Sequence, residues 1–316
     1  MVNNFNYKQF ELPAYLENDL AKAKRLEWIT IAYLCSVIVI MFLVMGSSQA
    51  MKTAWLEDLL SIVPSIAFLI ASKFYDKKPT IQFPYGFHRV FSIAYLTGAL
   101  ALLSMGIFLI IDSAMSLIQV EKPSIGSMMI GNNQIWMGWI MIIALLYSAV
   151  PAVILGRKKM PLAKKLHNKI LFTDAETQKA DYQTALAAIF GIIGVGLGFW
   201  WADALMAILI SFSIIKDGYK NTKRAIEDLM DSRPQQTDHQ KADPLLKDLQ
   251  HIIEAWDWVE AYDVRFREHG QVYFGEIMVV PKWEHCVEHI EEGVKELKRY
   301  HWKVYDVTIM PVVKLN

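Results

Sequence analysis

Residues 169–201 read KILFTDAETQKADYQTALAAIFGIIGVGLGFWW, and the rest of the chain is organised around this stretch. It opens as a polar helix face and continues as an apolar one without a break. Asp174, Thr177, Asp181 and Thr184 recur at i, i+3, i+7 and i+10, which lines them along one side of an α-helix. The run AAIFGIIGVGLGFW that follows is long enough to cross much of a bilayer. An ionisable side chain carried into a span is costly unless it faces water, a partner or a cation. Asp181 is therefore a candidate functional residue; the competing reading leaves it solvated at the headgroup level.

The chain has 316 residues, is 54% apolar and has a mean hydropathy of +0.25. Its 32 basic and 32 acidic residues cancel, so bulk charge gives no reason to expect a nucleic-acid partner. Cys35 and Cys286 lie far apart and imply no disulfide framework. Residues 1–27 are polar and the apolar run after them is of span length, so no cleavable signal peptide is expected.

The apolar residues cluster into six expected spans. They run from Trp28 to about Gly46, about Thr53 to Ala71, Val90 to about Ile118, Ile135 to Leu155, the opening stretch, and Ala202 to about Ile215. Pro64 should kink the second by removing a backbone hydrogen bond. Lys and Arg concentrate in the N-terminal segment and in loops 72–89 and 156–169, the latter reading GRKKMPLAKKLHNK. Alternate loops hold one lysine or none, so both termini are expected to be cytoplasmic. The resulting division is a cytoplasmic segment 1–27, a membrane domain 28–218, an exit helix and linker 219–238, and a soluble α+β domain 239–316. The last reads helix-strand-strand-helix-strand, with both helices on one face of a three-stranded sheet.

Charges inside the spans are few. The second span carries Glu57 and Asp58, with Ser61 one turn beyond Glu57; the fifth carries Thr177 and Asp181, also one turn apart. Two helices that each present a carboxylate and a hydroxyl could enclose a hard divalent cation, or the groups could simply satisfy helix ends. Asp112 and Lys216 read as a structural pair, and Asp203 as the N-cap of the sixth span. His285, Cys286 and His289 open the second helix of the tail; they are weak metal candidates beside the simpler reading of a solvated helix start. Gly191, Gly194, Gly196 and Gly198 match no phosphate loop and read as close helix packing.

Three segments resemble the cation diffusion facilitator family: FPYGFHR before the third span, residues 179–210 across the fifth and sixth, and AIEDLMD in the exit helix. The family plan of six spans, both ends cytoplasmic, and a ferredoxin-like or metallochaperone-like tail also fits. The resemblance implies a homodimer that exchanges a divalent transition metal for protons. It further implies a site built from one i, i+4 pair in the second span and one in the fifth, usually Asp with Asp and His or Asp with Asp. Counted from Tyr85 and Gly86, those positions fall on Glu57, Ser61, Thr177 and Asp181. Only Asp181 keeps the family residue; Glu57 is a longer Asp, Ser61 and Thr177 depart, and Asp58 can substitute if the register slips by one.

Such a site has less negative charge and no imidazole, so it should hold Zn²⁺ less tightly and favour Fe²⁺, Mn²⁺, Co²⁺ or Mg²⁺. The family's auxiliary positions fall on Thr80, Phe83 and Phe87, which are not ligands for such an ion. Arg89 and Asp231 match a basic–acidic pair and are expected to interlock at the dimer interface. The expectation is a multi-pass protein of a bacterial inner membrane, a metal exporter working by alternating access around Glu57 and Asp181. The alternative is a degenerate relative that no longer transports and acts as a membrane partner or metal-linked regulator. No nucleophile–base pair or cofactor motif suggests an enzyme.

Overall fold

Proline, serine and asparagine set where several helices begin. The computed structural model describes residues 12–75, 77–130, 133–282 and 286–315. Pro13 precedes α1 (Ala14–Val44), where its fixed φ is pre-organised for the first turn. Ser48 caps α2 (Gln49–Leu60), its hydroxyl accepting from the Met51 N–H at 3.1 Å. Asn168 caps α6 (Lys169–Gly196) in the same way, accepting from Leu171 N–H at 2.9 Å. Between α2 and α3 (Ile62–Phe74) the helix breaks at Ser61. Pro64 is the cause: it has no N–H for the Leu60 carbonyl and its ring crowds that oxygen.

α4 (Val90–Ile118), α5 (Met137–Lys165) and α7 (Ala202–Leu229) complete the bundle, with a hairpin of β1 (Ser127–Ile130) and β2 (Asn133–Trp136) between α4 and α5. Four units are long and apolar enough to cross a membrane: α1, the broken α2–α3 pair, α4 and α5. α6 and α7 are each 28 residues long, and each carries one charged half. They lie within the same bundle, α7 along α4 and α6 along α5, and they also touch each other. Small residues permit the close approaches. A Cβ on Gly218 of α7 would meet the Leu103 backbone nitrogen at 2.6 Å, and one on Gly156 of α5 would meet the Ala175 carbonyl at 2.7 Å.

Several boundaries differ from the sequence expectation. GRKKMPLAKK, read as a loop, is the last part of α5, and residues 14–27 are the first turns of α1. The sixth span and the exit helix are one continuous helix. The fifth ends at Gly196 rather than Trp201, because the Leu197, Gly198 and Phe199 N–H groups fold back onto carbonyls of residues 193–195. The fourth span, expected from Ile135, starts as helix only at Met137, because Ile135 and Trp136 pair with β1 as the end of β2.

The tail follows the order α8 (Leu245–Glu254), β3 (Val259–His269), β4 (Val272–Pro281), α9 (Val287–Tyr300) and β5 (Val304–Pro311). β4 is central, antiparallel to β3 and parallel to β5, with the β3–β4 turn made at Gly270, φ +68°. One sheet face, with Tyr273, Ile277 and Val279, packs on Leu249 and Ile253 of α8 and Leu297 of α9. Alternation turns Val272 and Phe274 the other way, into a second cluster with Phe91 and Tyr95 of α4 and Leu166, Leu171 and Phe172 at the α5–α6 corner. The tail is therefore docked directly on one end of the helix bundle.

Candidate metal transport site

α2 brings Glu57 and Asp58 to the bundle interior, and α6 brings Asp181. All three carboxylates lie within electrostatic reach of one another. Asp58 is buried and accepts from the Ser148 hydroxyl of α5, which lies 2.9 Å from both its oxygens. The Thr184 hydroxyl of α6 turns to Glu57. Glu57 Oε2 and Asp181 Oδ2 are different: each is buried, with no hydrogen-bond partner among the described residues. An orphaned buried carboxylate oxygen costs several kcal/mol unless a proton or a cation meets it.

Ser61 sits at the α2–α3 break and donates its hydroxyl back to the Glu57 carbonyl at 3.0 Å. Its lone pairs stay available. Thr177 is half-buried one turn before Asp181. Among the described residues, no three His, Cys, Asp or Glu side chains stand together as a ready ligand cage. What the bundle assembles is an acidic pair from two helices, supported by hydroxyls.

Sequence reading missed several neighbours. Tyr33 of α1 faces both Asp58 and Asp181 and bonds the Ser148 carbonyl. Toward the tail-side end of α6 lies a buried charge cluster: Lys159 Nζ is 2.9 Å from Glu27 Oε2 and 2.6 Å from Asp174 Oδ2. In the sequence Glu27 reads as the end of the cytoplasmic segment 1–27 and Lys159 as part of the basic loop 156–169. Asp203 is not the cap of its own helix. It is fully buried and reaches the start of α2, accepting from the Ser48 hydroxyl at 2.7 Å and from the Gln49 N–H. Asp112 pairs with Lys52 at 2.7 Å rather than with Lys216, tying α4 to α2.

Arg89 and Asp231 are in contact within the chain. Asp231 follows α7 in a left-handed conformation, φ +58°, which turns it back to Arg89. Arg89 also donates to the Leu229 carbonyl at 3.1 Å and meets His269 of β3 at 2.9 Å. In the tail, Cys286 is buried and His289 stacks on Trp258 with ring centroids 5.9 Å apart. His285 lies outside the described residues.

Four apolar units of bilayer length, in a bundle that buries acids from α2 and α6 and carries a docked α/β tail, define the class of an integral membrane protein. Residues 27–230 match the cation efflux transmembrane domain, and the chain belongs to that family, the cation diffusion facilitators. It is an integral membrane protein and a metal-cation transporter by family. It is 25% identical over 241 residues to the manganese efflux system protein MneP of Bacillus subtilis, covering 73% of this chain and 74% of that protein. MneS of the same organism is 24% identical over 58% of this chain and 59% of its own length. The magnetosome protein MamB of a Magnetospira strain is 23% identical over 66% of this chain and 67% of its own.

Proposed function

We propose that the protein exports a divalent transition metal from the cytoplasm in exchange for protons, with Glu57 and Asp181 as the pair that meets the ion. The observation that carries this reading is the pair of orphaned buried oxygens, Glu57 Oε2 and Asp181 Oδ2, on two helices of a cation efflux bundle. Asp58, fixed by Ser148, orients the α2 side, and Ser61 and Thr177 supply neutral oxygens as the helices rock. Carboxylates can take the ion in one state and protons in the next, which couples the two fluxes without an imidazole.

Manganese is the favoured ion among Fe²⁺, Mn²⁺, Co²⁺, Zn²⁺ and Mg²⁺. An oxygen-only donor set suits it, and two of the similar proteins carry manganese efflux in their names. In this reading α6 and α7 are the fifth and sixth spans and the ferredoxin-like tail faces the cytoplasm of a bacterial cell, as do both termini. Two copies form a homodimer, with the Arg89–Asp231 contact setting the tail angle that the dimer needs.

Flux in proteoliposomes under an imposed pH gradient tests the proposal, with Mn²⁺, Fe²⁺, Co²⁺, Zn²⁺ and Mg²⁺ compared and Asp181→Ala run beside the wild type. Gradient-dependent Mn²⁺ flux that disappears in the variant is expected. Well-folded protein that moves no ion would favour a non-transporting regulator.

A further inference from the structure

Lys159 is the least expected residue in the bundle. Its side chain is 0% exposed, and it is held between two carboxylates from two other helices, Glu27 of α1 and Asp174 of α6. Isolated burial of an ammonium is costly, and the two acids compensate it. The compensation is not stoichiometric: two carboxylates face one ammonium, whereas one divalent cation would balance both. Neutral oxygens complete the surroundings. Ser65 Oγ lies beside Glu27, and it and Glu27 Oε1 are buried with no hydrogen-bond partner among the described residues; the Gln178 amide donates to Asp174 at 3.2 Å. Gln178 is 1% exposed, and its Oε1 has no hydrogen-bond partner among the described residues. Two carboxylates, a hydroxyl and an amide oxygen make a hard-cation donor set.

The position is equally telling. Asp174, Gln178 and Asp181 lie on the buried face of α6, and seven residues separate the two aspartates, a rise of about 10.5 Å. Lys159 and Asp174 are both within electrostatic reach of Asp181. The cluster lies on the tail side of Asp181, along the route by which an ion from that side would reach it.

We propose that Glu27 and Asp174 form a second divalent-cation station on the tail side of Asp181, closed in this state by the tethered ammonium of Lys159. The ion and the ammonium exclude each other. Withdrawal of Lys159 opens the station, and its return pushes the ion on toward Asp181 and bars the way back. The proposal rests on Asp181 being the transport site.

Mn²⁺ binding to the purified full-length protein in detergent, counted per chain by electron paramagnetic resonance of the free ion, tests it. Lys159→Met is expected to bind one Mn²⁺ more per chain than the wild type. That extra ion should persist in Lys159→Met/Asp181→Ala and vanish in Lys159→Met/Asp174→Asn. A folded Lys159→Met protein with the wild-type count overturns the station. Loss of no Mn²⁺ from wild type on Asp181→Ala would instead sink the transport-site reading, and the two failures are separate. Because Lys159→Met leaves two buried acids facing each other, a second variant guards against misfolding. Asp174→Asn keeps the Lys159–Glu27 pair and should raise the KM for Mn²⁺ flux on the order of tenfold, about 1.4 kcal/mol of ion binding, with kcat little changed. A purely structural contact would lower the yield of folded protein and leave KM alone, and an unchanged KM overturns the proposal.

Discussion

The ammonium of Lys169, the first residue of α6, lies 3.0 Å from the carboxylate of Glu268 in the tail sheet and 2.9 Å from Asp228 of α7. Glu268 also meets His167 of the α5–α6 corner at 3.1 Å and accepts the Gln235 N–H at 3.2 Å. Burial by itself would raise the pKa of Glu268, but Lys169 and His167 outweigh it and hold the carboxyl at about 2. One tail carboxylate is thus tied to the first residue of α6, the helix that carries Asp181, and through Lys169 to α7. Any tilt of α6 is felt by the tail.

Glu268→Gln removes one partner of a buried network and leaves Lys169 undercompensated. A loss of roughly 3–5 kcal/mol of docking stability is expected. The tail core around Leu249, Ile253 and Leu297 does not use Glu268, so the tail itself should stay folded. Proteolysis within residues 235–243 should accelerate while tail circular dichroism persists. Unchanged cleavage would mean that the network does not hold the tail.

Docking should weaken in mild acid through histidines rather than carboxylates. Burial, with help from Arg89 and Arg267 and against Asp231, holds His269 at about 4; burial and the neighbouring His269 hold His88 at about 4 as well. Both are neutral when docked, and once released each regains an ordinary value near 6.5. Their contribution is complete above pH 6.5 and is lost as pH falls toward 4, on the order of 1 kcal/mol per imidazole by pH 5.5. Asp243, against its own burial, is held at about 2 by Lys303 and Tyr273, so it keeps its contribution until the pH drops below the usual carboxylate range. Amide exchange at Val272 and Phe274 should quicken between pH 6.5 and 5. Exchange rates that, once corrected for intrinsic chemistry, stay flat across that window would contradict the assignment.

What could be read from the chain and what could not divides on physical grounds. Val90–Ile118 was legible because an apolar run bounded by Arg89 and a polar loop has one interpretation. The last part of α5 was not, because GRKKMPLAKK looks like a basic loop when charge is weighed alone. The signal was present as a stripe of small residues: Ser148, Ala152, Gly156 and Ala163 recur at helical spacing on one buried face, and Lys159 falls on that face. Following it would have put Lys159 inside the bundle. Asp203 was misassigned for a different reason: local spacing suggests caps within a helix, whereas its partners Ser48 and Gln49 are remote in sequence. Asp181 and Glu57 stand out in the sequence because an acid in an apolar span is conspicuous. Ser148 and Tyr33 pass as ordinary span residues until the fold brings them to the acids.

Asp203→Ala removes the acceptor of the Ser48 hydroxyl and of the Gln49 N–H at the start of α2. A carboxylate at a helix N-terminus satisfies free N–H groups and complements the helix dipole, so its loss should cost about 1–2 kcal/mol. The effect should reach the site, since Glu57 lies two turns into the same helix. Mn²⁺ flux is expected to fall more in Asp203→Ala than in Asp203→Asn, whose side-chain oxygen can still accept. Equal losses in the two would mean that charge, not acceptance, is what α2 requires.

Glu57 and Asp58 are adjacent, yet their surroundings assign them different work. Asp58 is held by the Ser148 hydroxyl at 2.9 Å, whereas Glu57 keeps a buried oxygen without a partner among the described residues. On the proposed site, Glu57→Gln should abolish ion flux, because it replaces the carboxylate proposed to meet the cation with a neutral amide. Asp58→Asn removes a supporting group and should cost about 10–100-fold, the usual range for outer-shell partners of a metal site. Ser148→Ala frees Asp58 without removing its charge, so it should fall short of either loss and leave the ion preference unchanged. The order of the three in a flux assay is the test. If Asp58→Asn is silent to cation and proton alike while Glu57→Gln is dead, the second helix offers one ligand; if the two are reversed, the register of α2 at the ion is one residue further along than these contacts imply.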